Sequence, residues 1–348
     1  MMRSRIHPMS DFTALVLASP TRQVMPVATF PGAKLVGKTI KQMTTNAAIQ
    51  AEVSLALRAK LGMPWYQSAM DLSVESEAFG ATVRMVEDEV PTVIGRLVTD
   101  AASIAALQVP KVGSGRTNVY LDTVRLLAAQ PGSPFVVAGC IGPFTLAGRL
   151  FGVSESLEFS MNEPEAMEAL IDKATDFLIA YVSAFKQAGA KALFMAEPTA
   201  GLLSPKMLGR FSSPYVKRII TAVEDGQFGV ILHNCGAKIA HIPHILASGA
   251  TALHFGQPMD LPAAARAVPS NVVVCGNLDP SGVFVGMDET TITNKTVALE
   301  TSLAGLRNVV MSSGCDIPPN APVEHLVAFM RACGVRAAQT SCGCGCTG

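Results

Sequence analysis

The sequence predicts an α/β protein folded as a (β/α)8 TIM-type barrel, a single domain with helical insertions in its early loops. Three observations carry this. Eight short apolar runs rich in β-branched and aromatic residues recur along the 348 residues. Amphipathic stretches separate them. None of the runs opens onto the G-x-G-x-x-G turn of a dinucleotide-binding sheet. Alternation of strand and helix points to a parallel sheet, and eight strands in one chain suit a closed barrel better than an open doubly wound sheet.

The runs follow in order. VMPVATF (24–30) opens the series and WYQSAM (65–70) follows. FVVAGC (135–140) and KALFMAE (191–197) come next. FGVILHNC (228–235), TALHFG (251–256), NVVVCG (271–276) and NVVMSSGC (308–315) complete the set. The clearest helix is EPEAMEALIDKATDFLIAYVSAFKQAGA (163–190), with Asn162 as expected N-cap, Pro164 in the first turn and a glycine near the end. The spacing is uneven, with about 65 residues between the second and third runs and about 50 between the third and fourth. The first interval is expected to hold helices over EDEVPTVIGRLVTDAASIAAL, the second a glycine-rich loop, GCIGPFTLAGRLFG (139–152). Long insertions at one end of a barrel commonly build its pocket. Residues 1–340 are read as the barrel domain, and SCGCGCTG (341–348) as a Cys/Gly-rich tail able to bind soft metals adventitiously.

The chain is 49% hydrophobic and 16% charged, as a large buried core requires. Lysine plus arginine equals aspartate plus glutamate, 27 each, so no net charge favours nucleic acid or an anionic membrane. Near-neutrality is compatible with a homodimer. No apolar run approaches the roughly 20 residues of a membrane span, and FTALVLA near the start is short for a secretory signal. A soluble, cytoplasmic protein is expected. Eight cysteines in so long a chain do not make a disulfide scaffold, so metal or catalytic uses come first.

In a strand, residues i and i+2 face the same way. His233 and Cys235 therefore project together from the carboxyl end of the fifth run, where a barrel keeps its active site. They are either two ligands of a zinc ion or a polar strand end. Cys315 closes another run in the loop SSGCDIPP and supplies a third ligand. One histidine with two cysteines leaves a fourth position open, as in catalytic zinc sites. Glu197 ends its run before Pro198; it is a fourth ligand, a partner of the ligands, a substrate contact or a helix-capping charge. Asp71 follows WYQSAM and either holds substrate or caps a loop. Asn277, after the seventh run, is placed to orient a bound ligand or cofactor. His254 also lies near a strand end, with its role open. His241 and His244 share a helix face and are read as surface or packing residues, Cys140 and Cys275 as core.

The stretches ILHNCG, VVVCGNLDP and VVMSSGCDIPPNAPVEHLVAFM together resemble the uroporphyrinogen decarboxylase superfamily, in particular its corrinoid methyltransferase branch. MDLSVESEAFGATVRMVEDEVP (70–91) and MAEPTAGLLSP (195–205) fit the same pattern. The resemblance runs from about Pro26 to Ala332. It implies a (β/α)8 barrel with zinc on His233, Cys235 and Cys315, and methyl transfer between a methylated corrinoid on a carrier protein and a thiol such as coenzyme M. The same site run in reverse implies a demethylase that methylates the corrinoid. A non-catalytic zinc or corrinoid-docking protein is a further possibility. Cobalamin-independent methionine synthases use a similar ligand set plus a carboxylate. Here HFGQPMD has no acid before Asp260, so that ligand does not carry over. The decarboxylase branch carries an arginine-rich clamp where this chain reads ATFPGAKLVGK, which argues against a porphyrin octa-acid as substrate.

Overall fold

The computed structural model describes residues 11–132 and 134–335; the tail at 341–348, and the boundary expected at 340, lie outside the described residues. Among these residues nine strands form: β1 (Trp65–Gln67), β2 (Val83–Arg84), β3 (Thr92–Val93), β4 (Phe135–Ile141), β5 (Ala192–Ala196), β6 (Gly229–Asn234), β7 (Ala252–Phe255), β8 (Val273–Leu278) and β9 (Val309–Ser313). Seven make one sheet in the order β1-β4-β5-β6-β7-β8-β9, every neighbouring pair parallel. β2 and β3 pair antiparallel on their own. Parallel strands covered on both faces read as unbroken apolar runs. Accordingly β5, β6, β7 and β9 are buried at every residue.

Helices cross from strand to strand. The longest, Pro164–Gln187, begins with proline at its first turn and buries Met167, Leu170, Ile171, Ala174, Phe177, Leu178, Tyr181, Val182 and Phe185. That spacing of three and four is one helical face. Each large side chain so buried contributes about 1.5–3 kcal/mol. No helix among the described residues is long and apolar enough to cross a membrane.

Several local expectations are corrected. The run 24–30 gives only a bridge, Val24 beside Met311, before a 3-10 helix starts at Phe30. Pro26 has no N–H to extend the ladder; its carbonyl instead accepts from Gln67 Nε2 at 3.2 Å. Met25 N donates to Met311 O at 2.8 Å, so the segment is still tied to β9. The glycine-rich stretch 139–152 is the end of β4 followed by a helix, Pro143–Phe151, because proline at the first position and the apolar residues behind it nucleate one. The helices expected between the second and third runs include only Ala101–Ala106 within EDEVPTVIGRLVTDAASIAAL, where Pro91 and Gly95 break the pattern and Thr92–Val93 form β3. Asn162 is the last residue of the helix Val153–Asn162, and the N-cap of the next helix is Glu163.

Candidate metal centre

The site lies where β6, β7 and β9 end. His233 is inside β6, in register with Ala196 of β5 and His254 of β7. Cys235 is one residue beyond β6, and Cys315 two beyond β9. The structure brings these three together: their ligand atoms all lie within 4.8 Å of one another. His233 is 1% exposed, and both cysteines are partly exposed. Its Nδ1 faces Nδ1 of His254 at 2.8 Å, whereas its buried Nε2 has no hydrogen-bond partner. An unpaired buried polar atom costs about 1–3 kcal/mol, and a nitrogen beside two sulfurs is the donor set that zinc takes.

Two close approaches make the cluster possible. A Cβ on Gly256 would lie 2.2 Å from the Cys235 carbonyl oxygen, and one on Gly314 would lie 2.8 Å from Gln257 N. Only glycine lets the β7 and β9 ends pass so near the cysteine turns. The two thiols perturb each other: the neighbouring Cys315 pulls Cys235 down to about 7, against burial, while Cys235 together with burial pushes Cys315 up to about 12. One thiol of the pair therefore loses its proton readily, which is the form that binds metal.

His254 is wholly buried, and burial followed by the neighbouring His233 holds it well below the usual imidazole range. Its Nε2 lies 2.9 Å from Ser312 Oγ. The Phe194 ring packs on both imidazoles, its centroid 5.3 Å from His233 and 4.9 Å from His254. Behind Phe194 is a cavity of about 20 Å³, which Thr29 and Gln67 also line.

The other expected residues are placed around this centre. Glu197 N donates to His233 O, but its fully buried carboxylate points to the helix Pro143–Phe151. It accepts from Phe144 N, Thr145 N and Ser212 Oγ at 2.9, 2.8 and 3.0 Å. Burial raises its pKa, and those hydrogen bonds oppose the rise. Asn277 gives both amide hydrogens to backbone, Gly256 O and Met259 O. Asp71 is buried against Arg116 at 2.6 Å and also accepts from Tyr120 and Ser73. His241 is a packing residue, its Nε2 3.0 Å from Leu203 O, and Cys140 and Cys275 are core.

Sequence reading missed Ser312, Arg116, Tyr120 and Glu75. Glu75 is 1% exposed and accepts from Ile141 N, and burial raises its pKa to about 8. Nothing in the local sequence marks Ser312. The pairing of His254 with His233 was readable from their matching places at the ends of successive runs.

The uroporphyrinogen decarboxylase (URO-D) family model matches residues 13–335. The chain belongs to the uroporphyrinogen decarboxylase family. Among its relatives, the methylcobamide:CoM methyltransferase MtbA of Methanosarcina acetivorans is 26% identical over 81% of this chain and 82% of that protein. The uroporphyrinogen decarboxylase of Xanthomonas oryzae pv. oryzae is 29% identical over 83% of this chain and 85% of its own. A solved methyltransferase from Methanosarcina mazei superposes with a TM-score of 0.83 at 22% identity, over 93% of this chain and 97% of that one. At that identity the superposition shows the shared fold. The family's relatives here are enzymes, methyltransferases and decarboxylases alike.

Proposed function

We propose that this family member is a zinc-dependent methyltransferase that moves a methyl group from a methylated corrinoid, presented by a carrier protein, to a small thiol such as coenzyme M. The observation that carries it is the meeting of an unpartnered histidine nitrogen with two cysteine sulfurs at the carboxyl ends of parallel strands. The similarity to MtbA and to a methylated-thiol–coenzyme M methyltransferase of Methanosarcina mazei supports the choice of thiol and corrinoid. In this reading the Val24 segment takes the eighth place of a barrel, between β9 and β1.

His233 lends its Nε2 lone pair, and Cys235 and Cys315 lend two thiolates. Zinc held there supplies a Lewis acid that favours the thiolate form of a bound thiol. Phe194 walls the imidazole side with an apolar surface and keeps water from it. Glu197 holds the β5 end and the helix Pro143–Phe151 in place beside His233. Asp71 fixes the loop after β1 through Arg116, and Asn277 fixes the turn after β7. With a methylated corrinoid as the donor, the thiolate held at this site would take the methyl group and the donor would keep the bonding electron pair, so the products would be a thioether and the demethylated corrinoid.

The test is metal analysis of wild type, Cys235→Ala and Cys315→Ala, coupled to methylcobalamin demethylation with a panel of thiols. Stoichiometric zinc in wild type and its loss in both variants, with loss of thiol methylation, is the expected result. Wild-type protein purified without chelator and free of zinc overturns the reading. The decarboxylase relatives favour a second one; decarboxylation of uroporphyrinogen that survives both cysteine substitutions selects it.

A further inference from the structure

We infer that Ser312 and His254 are positioning residues that fix His233 as the tautomer whose Nε2 is bare, and so prepare it to hold a metal before any metal arrives. The inference rests on the zinc reading above. It follows from the directions that three consecutive hydrogen bonds can take.

The chain starts at a group with no choice. Met25 O can only accept, and Ser312 Oγ donates to it. The serine has one hydrogen, so toward His254 its oxygen is an acceptor. His254 Nε2, 2.9 Å away, must carry a proton. His254 is fully buried and meets Phe194, His233 and Ser312, with no carboxylate bonded to it. It is neutral there, so its Nδ1 is a lone pair. The contact of 2.8 Å between the two Nδ1 atoms then needs its proton on His233. A neutral His233 protonated at Nδ1 has Nε2 bare, and that is the buried atom without a partner.

A histidine ligand usually passes its second N–H to a carboxylate or a carbonyl, which sets its tautomer and basicity. Here the acceptor is another imidazole, whose own tautomer is set by a serine and, through it, a backbone carbonyl. The line crosses β6, β7 and β9 and ends on the Val24–Met25 segment that bridges β9. Each member is a neutral group, so the line brings no added negative charge toward the metal, unlike a carboxylate partner.

Two measurements test this. The first is a long-range proton–nitrogen spectrum of the metal-free protein labelled with ¹⁵N-histidine, with His233 assigned by its disappearance in His233→Gln. A protonated Nδ1 and a bare Nε2 on His233 are expected, and a protonated Nε2 overturns the inference whatever the zinc content or turnover. The second is zinc affinity by chelator competition. Ser312→Ala and His254→Gln are expected to weaken binding by about 10- to 100-fold, while Ser312→Thr, which keeps the hydroxyl, stays near wild type. Wild-type affinity in Ser312→Ala together with an unchanged His233 tautomer sinks the relay. If Ser312→Ala does not fold, the wild-type spectrum decides alone. A wild type that binds no zinc overturns the metal reading itself, separately from the tautomer.

Discussion

Gly256→Ala puts a methyl group against the backbone of Cys235, a ligand in the proposed zinc site. Its ideal Cβ lies 2.2 Å from Cys235 O, 2.9 Å from Cys235 C and 3.0 Å from Cys235 Cα. A carbon–oxygen contact relaxes to about 3.3 Å, so one of the two strand ends must retreat by about 1 Å. Metal–ligand distances tolerate about 0.2 Å. Overpacking of a tight site costs about 1–3 kcal/mol. If that strain falls on the zinc-bound state, the dissociation constant rises about 5- to 150-fold. Competition against a calibrated chelator reads it, with thermal unfolding of the metal-free protein run beside it to separate ligand displacement from loss of fold. Zinc held within twofold of wild type, with an unchanged unfolding midpoint, would refute the steric reasoning.

Glu75 gives a pH prediction. Burial, the largest cause, raises its carboxyl to about 8 from an ordinary value of 4.5. Between those values the unfolded chain has released a proton that the folded one keeps, so the contribution of Glu75 to stability is complete below 4.5 and is lost as pH rises through about 8. Glu75→Gln should gain a few kcal/mol on wild type between about pH 5 and about pH 8.5, each pH unit crossed being worth about 1.4 kcal/mol, in paired denaturant titrations; a difference independent of pH contradicts it. Arg116→Met leaves Asp71 buried without its cation and should destabilise by about 3–5 kcal/mol, measured the same way, whereas a loss below about 1 kcal/mol would show the pair to be dispensable. Metal-free protein treated with hydrogen peroxide should lose two hydrogens as Cys235 and Cys315 join, with peroxide reduced to water. Peptide mapping checks this, and zinc-loaded protein should resist; equal oxidation of both forms argues against a shared metal. Glu197→Gln should lower the melting temperature by uncapping the helix Pro143–Phe151, at a cost of about 1 kcal/mol, and leave zinc content unchanged. Zinc lost from a folded Glu197→Gln protein would instead make the carboxylate a ligand.

The strands were legible because a parallel sheet buried on both faces leaves continuous apolar runs; β4 to β9 lie within the runs expected for them, give or take a residue or two at their ends. The run at 24–30 misled because Pro26 interrupts its ladder, a fact about one missing hydrogen that hydrophobic pattern does not register. Pro143 misled in the opposite sense, since proline among glycines reads as loop and here starts a helix. At the centre, His233, Cys235 and Cys315 could be chosen because residue type and strand-end position coincide. The roles of Glu197, Asp71 and Asn277 could not, because whether a carboxylate or an amide faces a ligand depends on which backbone groups reach it first. Glu197 meets two helix N–H groups and Asn277 two carbonyls, all distant in sequence or across a turn. Ser312 lay beyond reach for the same reason: its importance comes from Met25, 287 residues away.

The three candidate ligands are not mounted alike. His233 stands within β6, its backbone paired on both sides, while Cys235 and Cys315 ride on turns past the last ladder hydrogen bonds of β6 and β9. The centre thus has one stationary post and two hinged arms. Were an ion held there, a change of its fourth ligand would be met by an imidazole fixed in the sheet and by two sulfurs mounted on turns.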